Sequence, residues 1–447
     1  VTTFLALLVL AGLMAAARWI PAFGKLAFQT TVSLGFVLIF GFLVGRLARR
    51  IRLPRITGYI LAGVICGPYL GRFLTGPVVR ELRLIDDLAL ALIAFTAGGE
   101  LRIRDLAPRW RSIVAVTGAQ TGIVGAGMFV TVLLASPLFH LPPGVSVAAM
   151  AIAFGIFAVA SSPATAVAII NEARARGTFT DTVLGVTVLK DVVVLVLVTL
   201  LLPVMRLLSL PGATFDLGFV GDLAWEVGGS LAGGVVLGYL VTFYVNGVGA
   251  VLPLFIVGVS ILVTQVARQF HLEPLLLCMV AGFVIENATR VGDRFIDAIE
   301  RSSLPVYVVF FAISGAAINL QAVRDAWYLA LILVVVRLLL VSGATALGER
   351  AAARPNPMVR RWGGLGFVAQ AGVTLGLASI VARKFPGWGE EARVLALAMV
   401  AINQLVGPVA FRWALSRSGE ATEGSGAPAR NGESVGARTP AGSRRSV

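Results

Sequence analysis

Asp191 stands inside VTVLKDVVVL, residues 186–195, beside Lys190 and among residues that are otherwise almost wholly aliphatic. A carboxylate in such a place has one useful chemistry: it can hold a proton or a small cation, one at a time, and release it again. Oxygen ligands are available nearby in sequence. AVASSPATAVAII contains Ser161, Ser162 and Thr165, and Pro163 removes a backbone donor and clashes with the preceding turn, so unpaired carbonyls and amides are expected as well. RWGGLGFVAQAGVTLGLA offers a second interruption, with Gly364, Gly366, Gln370 and Gly372. Such groups suit a transiently held monovalent ion. A resident metal is not expected, because His140 and His271 sit singly in predicted loops and no His/Cys/carboxylate set has ligand spacing. With no glycine-rich phosphate loop and no nucleophile elbow, neither an enzyme nor a cofactor is asked for.

The elements that must hold these residues lie in a bilayer. Hydrophobic residues make up 57% of the 447 and charged residues 13%, and apolar runs long enough to span a membrane recur from end to end. Breaks at Pro, Gly and charge clusters give spans near 2–17, 30–48, 56–71, 84–101, 112–135, 147–170, 182–202, 219–243, 250–267, 274–286, 304–318, 326–347, 363–382 and 392–411. Asp191 then falls near the bilayer centre, where an ionised carboxylate costs about 3 kcal/mol or more, so a functional site is the first reading. A structural ion pair is the second, with Lys190 or with Arg337 of WYLALILVVVRLLLVSG. Adjacent residues project about 100° apart on a helix, which favours Asp191 towards a cavity and Lys190 towards a flank. Asn403 takes the place of Asp191 in the last span. Asp86, Asp87, Glu100, Glu172, Glu226 and Glu286 fall near helix ends, where solvation explains them. Cys66 and Cys278 lie in apolar segments and are expected to be free thiols.

Basic residues cluster in alternate loops, at Arg46–Arg55, Arg102–Arg111, Arg174 and Arg176, Arg290–Arg301 and Arg350–Arg361. By the positive-inside rule these loops and the C-terminus are cytoplasmic, for a multi-pass protein of the inner (plasma) membrane. The net charge of +14 is then topology and tail rather than a nucleic-acid surface. Residues 1–29 hold an extra helix, a possible signal anchor although it has no basic n-region. From Ser416 to Val447 the composition turns to Gly, Ser, Ala, Pro and Arg, which predicts a disordered cytoplasmic tail.

A weak internal repeat organises the rest. ARRIRLPRITGYILAG, from Ala48 to Gly63, lies over ARQFHLEPLLLCMVAG, from Ala267 to Gly282, at an offset of 219, and Gly98 of GGELRI lies over Gly315 of GAAINL at an offset of 217. Residues 30–205 and 249–415 thus form two repeats of six helices, joined by a linker helix within 206–248. An odd number of crossings separates their starts, so they insert upside down relative to each other. The arginines of the first copy, reduced to Arg268 in the second, agree with that inversion. Inverted repeats are the mark of secondary transporters, which bind substrate at the midplane between the halves. The fold class expected is an all-α polytopic membrane protein with 13–14 transmembrane helices.

In these residues the chain resembles the cation:proton antiporter superfamily, the sodium/proton exchangers together with Kef-type potassium efflux proteins. The resemblance runs from about residue 30 to 415 on LPRITGYILAGVICGP, FTAGGELRIRDL, ASSPATAVAIINE, the Asp of VLKDVVV, Arg337 and GGLGFVAQAG. It implies a homodimer built on a panel beside a moving core, crossed unwound helices, Asp191 as carrier of Na⁺ or K⁺ and of protons, Ser161, Ser162 and Thr165 along the first break, and Arg337 as a structural or charge-balancing cation. Lys190 is the departure, since relatives usually carry Asp, Asn or Gln there, and it opens the question of stoichiometry. Charge counting leaves an alternative: Lys190 and Arg337 against Asp191 give a net positive midplane, which suits an anion or anionic organic solute moved with protons.

Overall fold

The computed structural model describes residues 2–421 apart from 18, 20–24, 52, 83, 139–145, 210–217, 249–250, 371 and 386. His140 and the tail beyond 421 therefore lie outside the described residues, which contain helices and no strand. Apart from short pieces at Gly76–Glu81 and Ile103–Leu106, the helices in chain order are α1 (Thr2–Ala17), α2 (Leu26–Arg50), α3 (Arg55–Cys66), α4 (Leu84–Glu100), α5 (Ala107–Leu138), α6 (Val147–Val159), α7 (Pro163–Ala173) and α8 (Thr178–Ser209). Then come α9 (Gly218–Gly247), α10 (Leu252–Gln269), α11 (Pro274–Ala288), α12 (Gly292–Ala316), α13 (Leu320–Ala351), α14 (Pro357–Trp362), α15 (Gly372–Lys384) and α16 (Gly389–Ser418). Each span expected from the sequence is a helix or a broken pair of helices. The last runs to Ser418, beyond the composition change at Ser416. Hydropathy could not reveal that α12 starts as far back as Gly292, because its first turns are polar, or that α5 contains a π turn at Gln120–Val124.

Two bundles share the work of burial. Helices α2, α3, α4, α10, α11 and α12 pack on one another as a panel, with α1 along α2 and α9 along α11. Helices α5 to α8 and α13 to α16 form the core bundle, in which α13 runs between α5 and α16. Each bundle takes half its helices from each repeat.

The repeat is visible in the closest contacts of the panel. A Cβ at Gly63 of α3 would lie 1.8 Å from the Ala312 carbonyl oxygen of α12, and one at Gly315 would lie 2.1 Å from that of Ile60. On the other side of the panel, Cβ atoms at Gly98 of α4 and Gly282 of α11 would lie 1.9 Å from the Met279 and 2.3 Å from the Phe95 carbonyl oxygens. The residues aligned by the repeat therefore make equivalent contacts crosswise, α3 with α12 and α4 with α11. Small residues let backbones meet, which is the main source of helix association where lipid removes the hydrophobic drive. Gly98→Ala is expected to cost about 1–3 kcal/mol and to lower the melting temperature in detergent, since backbone must move to admit the methyl group. Gly118→Ala, with nothing within 4 Å, is the control that should be neutral or stabilising.

Candidate functional site

The first break separates α6 from α7 at Ala160–Ser162. Pro163 suits the first position of a helix but holds the residue before it extended, and Ser162 accordingly has φ −99° and ψ 104°. Its Oγ accepts the Thr165 N–H at 3.2 Å and lies 3.0 Å from Thr165 Oγ1. Thr165 is thus in the first turn of α7, not in the unwound stretch. The second break is Val368–Gln370, ahead of α15, which starts at Gly372. The glycines before it are wound as a 3₁₀ segment, Gly363–Phe367, and serve packing: Cβ atoms at Gly364 and Gly366 would lie 2.6 Å from Ser342 Cα and 2.7 Å from Val183 Cγ1. Both interruptions are narrower than the polar and glycine-rich stretches that mark them in the sequence, since Thr165 and Gly363–Phe367 are wound.

The two breaks cross in contact. The Ser162 N–H donates to the Ala369 carbonyl at 2.9 Å. Gln370 Nε2 donates to the Phe157 and Ala160 carbonyls at 2.6 and 3.3 Å, and Asn403 Nδ2 of α16 donates to Gln370 Oε1 at 2.7 Å. Arg337, 1% exposed on α13, ties both together. Its guanidinium donates to Ala158 and Ala160 at 2.9 and 2.8 Å, at the end of α6, and to Phe367 and Val368 at 3.0 and 2.9 Å, at the end of the 3₁₀ segment. Those are the carbonyl ends of two half-helices, each a partial negative charge with unpaired acceptors, and one cation caps both.

Lys190 turns away from its neighbour into the core bundle. Its Nζ donates to Gln120 Oε1 at 2.6 Å and lies 5.0 Å from the centre of the Phe367 ring, and Gln120 Nε2 continues to Thr345 Oγ1 at 2.9 Å. Gln120 opens the π turn of α5, and such turns gather at functional sites. Asp191 is half-buried, within electrostatic reach of Lys190 and of Glu273 at the entry of α11. Among the described residues no ion pair joins it to Lys190 or Arg337, so the structural-pair reading has no geometric support. Ser161 Oγ is buried in the first break and has no hydrogen-bond partner. The structure thus gathers Ser162, Thr165, Arg337, Gln370 and Asn403 at the crossing and attaches Lys190 to it through Phe367. Among the described residues no side-chain hydrogen bond attaches Asp191 or Ser161 to it. Gln120 and Thr345 were missed by sequence reasoning, whose only signal was a polar side chain in an apolar span.

A family model for the transmembrane region of sodium/hydrogen exchangers matches residues 35–417. The chain belongs to the sodium/hydrogen exchanger family. The structure of the sodium proton antiporter MjNhaP1 from Methanocaldococcus jannaschii at pH 8 aligns with a TM-score of 0.65 at 18% identity, over 88% of this chain and 97% of that one. An electron-microscopy map of MjNhaP1 gives 0.66 at 18% identity over 87% and 95%. Among curated relatives, the ammonium/H⁺ antiporter subunit AmhT of Alkalihalophilus pseudofirmus is 22% identical over 294 residues, 62% of this chain and 69% of its own. An uncharacterized protein in the phaC 3′ region of Methylorubrum extorquens is 35% identical over 75 residues, 17% of this chain and 26% of its own. This exchanger is a multi-pass membrane protein of the cation:proton antiporter superfamily, with that fold.

Two contacts mark opposite ends of the exchanger's bundles. On the arginine-rich face, Glu172 near the end of α7 accepts the Arg55 N–H with both carboxylate oxygens, at 2.7 and 2.9 Å. Glu172 is therefore not merely a solvated helix-end acid: it caps the panel helix α3 from the core bundle, where the helix N-terminus favours negative charge. At the other face a cavity of about 430 Å³ is lined by Asp87, Glu226, Arg268, His271 and Glu273 among others. Asp87 pairs with Arg268, and Ser230 Oγ accepts the Glu273 N–H at 2.8 Å. Burial, and after it the charge of Glu226, push the Glu273 carboxyl up to about 7, against the smaller opposite pull of the Leu275 N–H and Arg268.

Proposed function

We propose that the protein exchanges protons for a monovalent cation, Na⁺ or K⁺, with Asp191 as the shared carrier and the core bundle moving past the panel. The observation that carries this reading is the disposition of charge around Asp191. Both cations that could neutralise it are engaged elsewhere, Lys190 on Gln120 and Arg337 on four carbonyls, so the carboxylate is left for an ion. One carboxylate holds one proton or one cation, and Lys190 supplies a fixed neighbour instead of a second carboxylate. One-for-one, electroneutral exchange follows. Ser161, Ser162 and Thr165 supply oxygens on the first break, and Gln370, Gly372 and Asn403 shape the second. Arg337 engages its donors with two helix ends, whose partial negative charges offset the positive midplane on which transport of an anionic solute would depend. The arginine-rich face and the C-terminus are assigned to the cytoplasm, α9 to the linker between repeats, and the panel to a homodimer.

The test is dye-reported ΔpH in everted vesicles titrated with Na⁺, K⁺, Li⁺ and, because AmhT is an ammonium/H⁺ antiporter, ammonium. Proton efflux that follows the cation and is unaffected by clamping the membrane potential supports the reading; flux that follows the anion instead overturns it. The Glu273 cavity adds a pH dependence. Above about pH 7 Glu273 ionises and adds negative charge within reach of Asp191, beside Glu226, Asp87, Arg268 and His271. Glu273→Gln should raise the cation concentration for half-maximal rate roughly threefold a unit above that pH and leave it unchanged a unit below, the size expected of a partly screened charge.

A further inference from the structure

Two cavities on the arginine-rich face share a wall. One, about 280 Å³, is polar and is lined by Arg109, Arg111, Ser112, Glu349, Arg354 and Asn356 among others. The second, about 600 Å³, is an apolar cleft between the core helix α8, at Gly185, Val188 and Leu189, and the panel helix α11, at Met279, Val280 and Phe283. Ala107 and Trp110 line both.

We propose that the pair binds one anionic phospholipid, its phosphate in the basic cavity and an acyl chain in the cleft. An apolar cleft within a membrane protein's hydrocarbon zone is filled by what surrounds it, and each buried CH₂ contributes about 0.8 kcal/mol. Charge decides which lipid. Three arginines line the polar cavity, and its one acid, Glu349, is turned inward, where its carboxylate accepts Ser112 Oγ and the Asn356 N–H. Arg109 lies 3.8 Å from Asp181, while Arg111 and Arg354 are exposed. Trp110, 60% exposed, stands at the boundary, where an indole matches the headgroup level of a bilayer. A third hollow supplies the contrast: about 250 Å³ between α2 and α12, lined by Leu38, Ile39, Phe42, Leu304, Pro305 and Val308, it is apolar throughout. That hollow should take any lipid. Because the cleft lies between the core bundle and the panel, its occupant couples lipid composition to their relative position; the binding itself does not depend on the proposed ion chemistry.

The test uses the full chain in phosphatidylcholine nanodiscs doped with phosphatidylglycerol that carries a diazirine in its tail, with the matching phosphatidylcholine analogue in parallel, and cross-linked peptides are mapped by mass spectrometry. Phosphatidylglycerol should label the α8 and α11 walls of the cleft several-fold more than phosphatidylcholine, while the α2–α12 hollow takes both equally. Replacing Arg111 and Arg354 together with Ser should raise the phosphatidylglycerol needed for half-maximal cleft labelling by about thirtyfold, at roughly 1 kcal/mol per basic residue. Val188→Trp, which fills the cleft and leaves the arginines in place, should abolish labelling there and keep the test valid if the arginine variant does not fold. Equal cleft labelling by the two lipids, or cleft labelling unchanged in the variants, overturns the proposal.

Discussion

Asp191→Asn is expected to insert and fold normally and to show no cation-dependent proton flux above that of empty vesicles. An amide neither binds and releases a proton in the working range nor offers a full negative charge to a cation, so both halves of the exchange are lost together. Stability should move the other way. Burying an ionised carboxylate at the bilayer centre costs about 3 kcal/mol, and no arginine or lysine among the described residues forms an ion pair that offsets it, so the variant should melt at the same temperature or higher. A structural ion pair predicts the opposite, a loss of about 3–5 kcal/mol when one partner is neutralised. Measuring flux and melting temperature on one preparation separates the two: retained flux, or a marked loss of stability, removes Asp191 from the carrier role.

Arg337→Leu should be the most damaging single change for folding. Four carbonyls at the ends of two half-helices would lose the guanidinium in a buried site, Ala160 alone of them keeping the Gln370 amide as a side-chain donor among the described residues. Each buried acceptor left unsatisfied costs about 1–3 kcal/mol, and the sum is comparable to the whole stability of a typical domain. The expected result is low yield and a polydisperse size-exclusion profile. Arg337→Lys should recover part of the yield, because an ammonium can reach one break but lacks the planar fork that spans both. A Leu variant with wild-type yield and melting temperature would show that the crossing holds without its common cap.

How much of this was legible in the sequence differs from residue to residue, for physical reasons. Pro163 and the glycine run announced the two interruptions, since both change backbone preference locally. Their lengths were not announced. Whether Thr165 or Gly363–Phe367 stays wound depends on the Ser162 cap and the Arg337 bonds, which come from the fold. The repeat aligned Gly63 with Gly282 and Gly98 with Gly315, but not that α3 would meet α12 and α4 would meet α11, because self-alignment pairs equivalents and not contacts. Glu172 read as a solvated acid because its partner, the Arg55 N–H, lies 117 residues away and is backbone, invisible in side-chain chemistry. Gln120 was silent for the same reason: its meaning is Lys190, 70 residues on.

The shared cap on the crossing has a consequence for evolution of the transporter. Because one guanidinium on α13 binds both interruptions, and Asn403 of α16 holds Gln370 between them, the unwound segments cannot slide past each other without breaking several buried bonds at once. On the exchange proposed above, the two interruptions then move as one cassette in which Ser162, Ala369, Gln370 and Asn403 keep their mutual contacts. The glycine seams of the panel and the Glu172 cap on α3 lie outside that cassette. On that same proposal, choice of ion and speed of turnover would be written in separate sets of residues, and a lineage could retune one by drift at the bundle boundary while the other stays fixed.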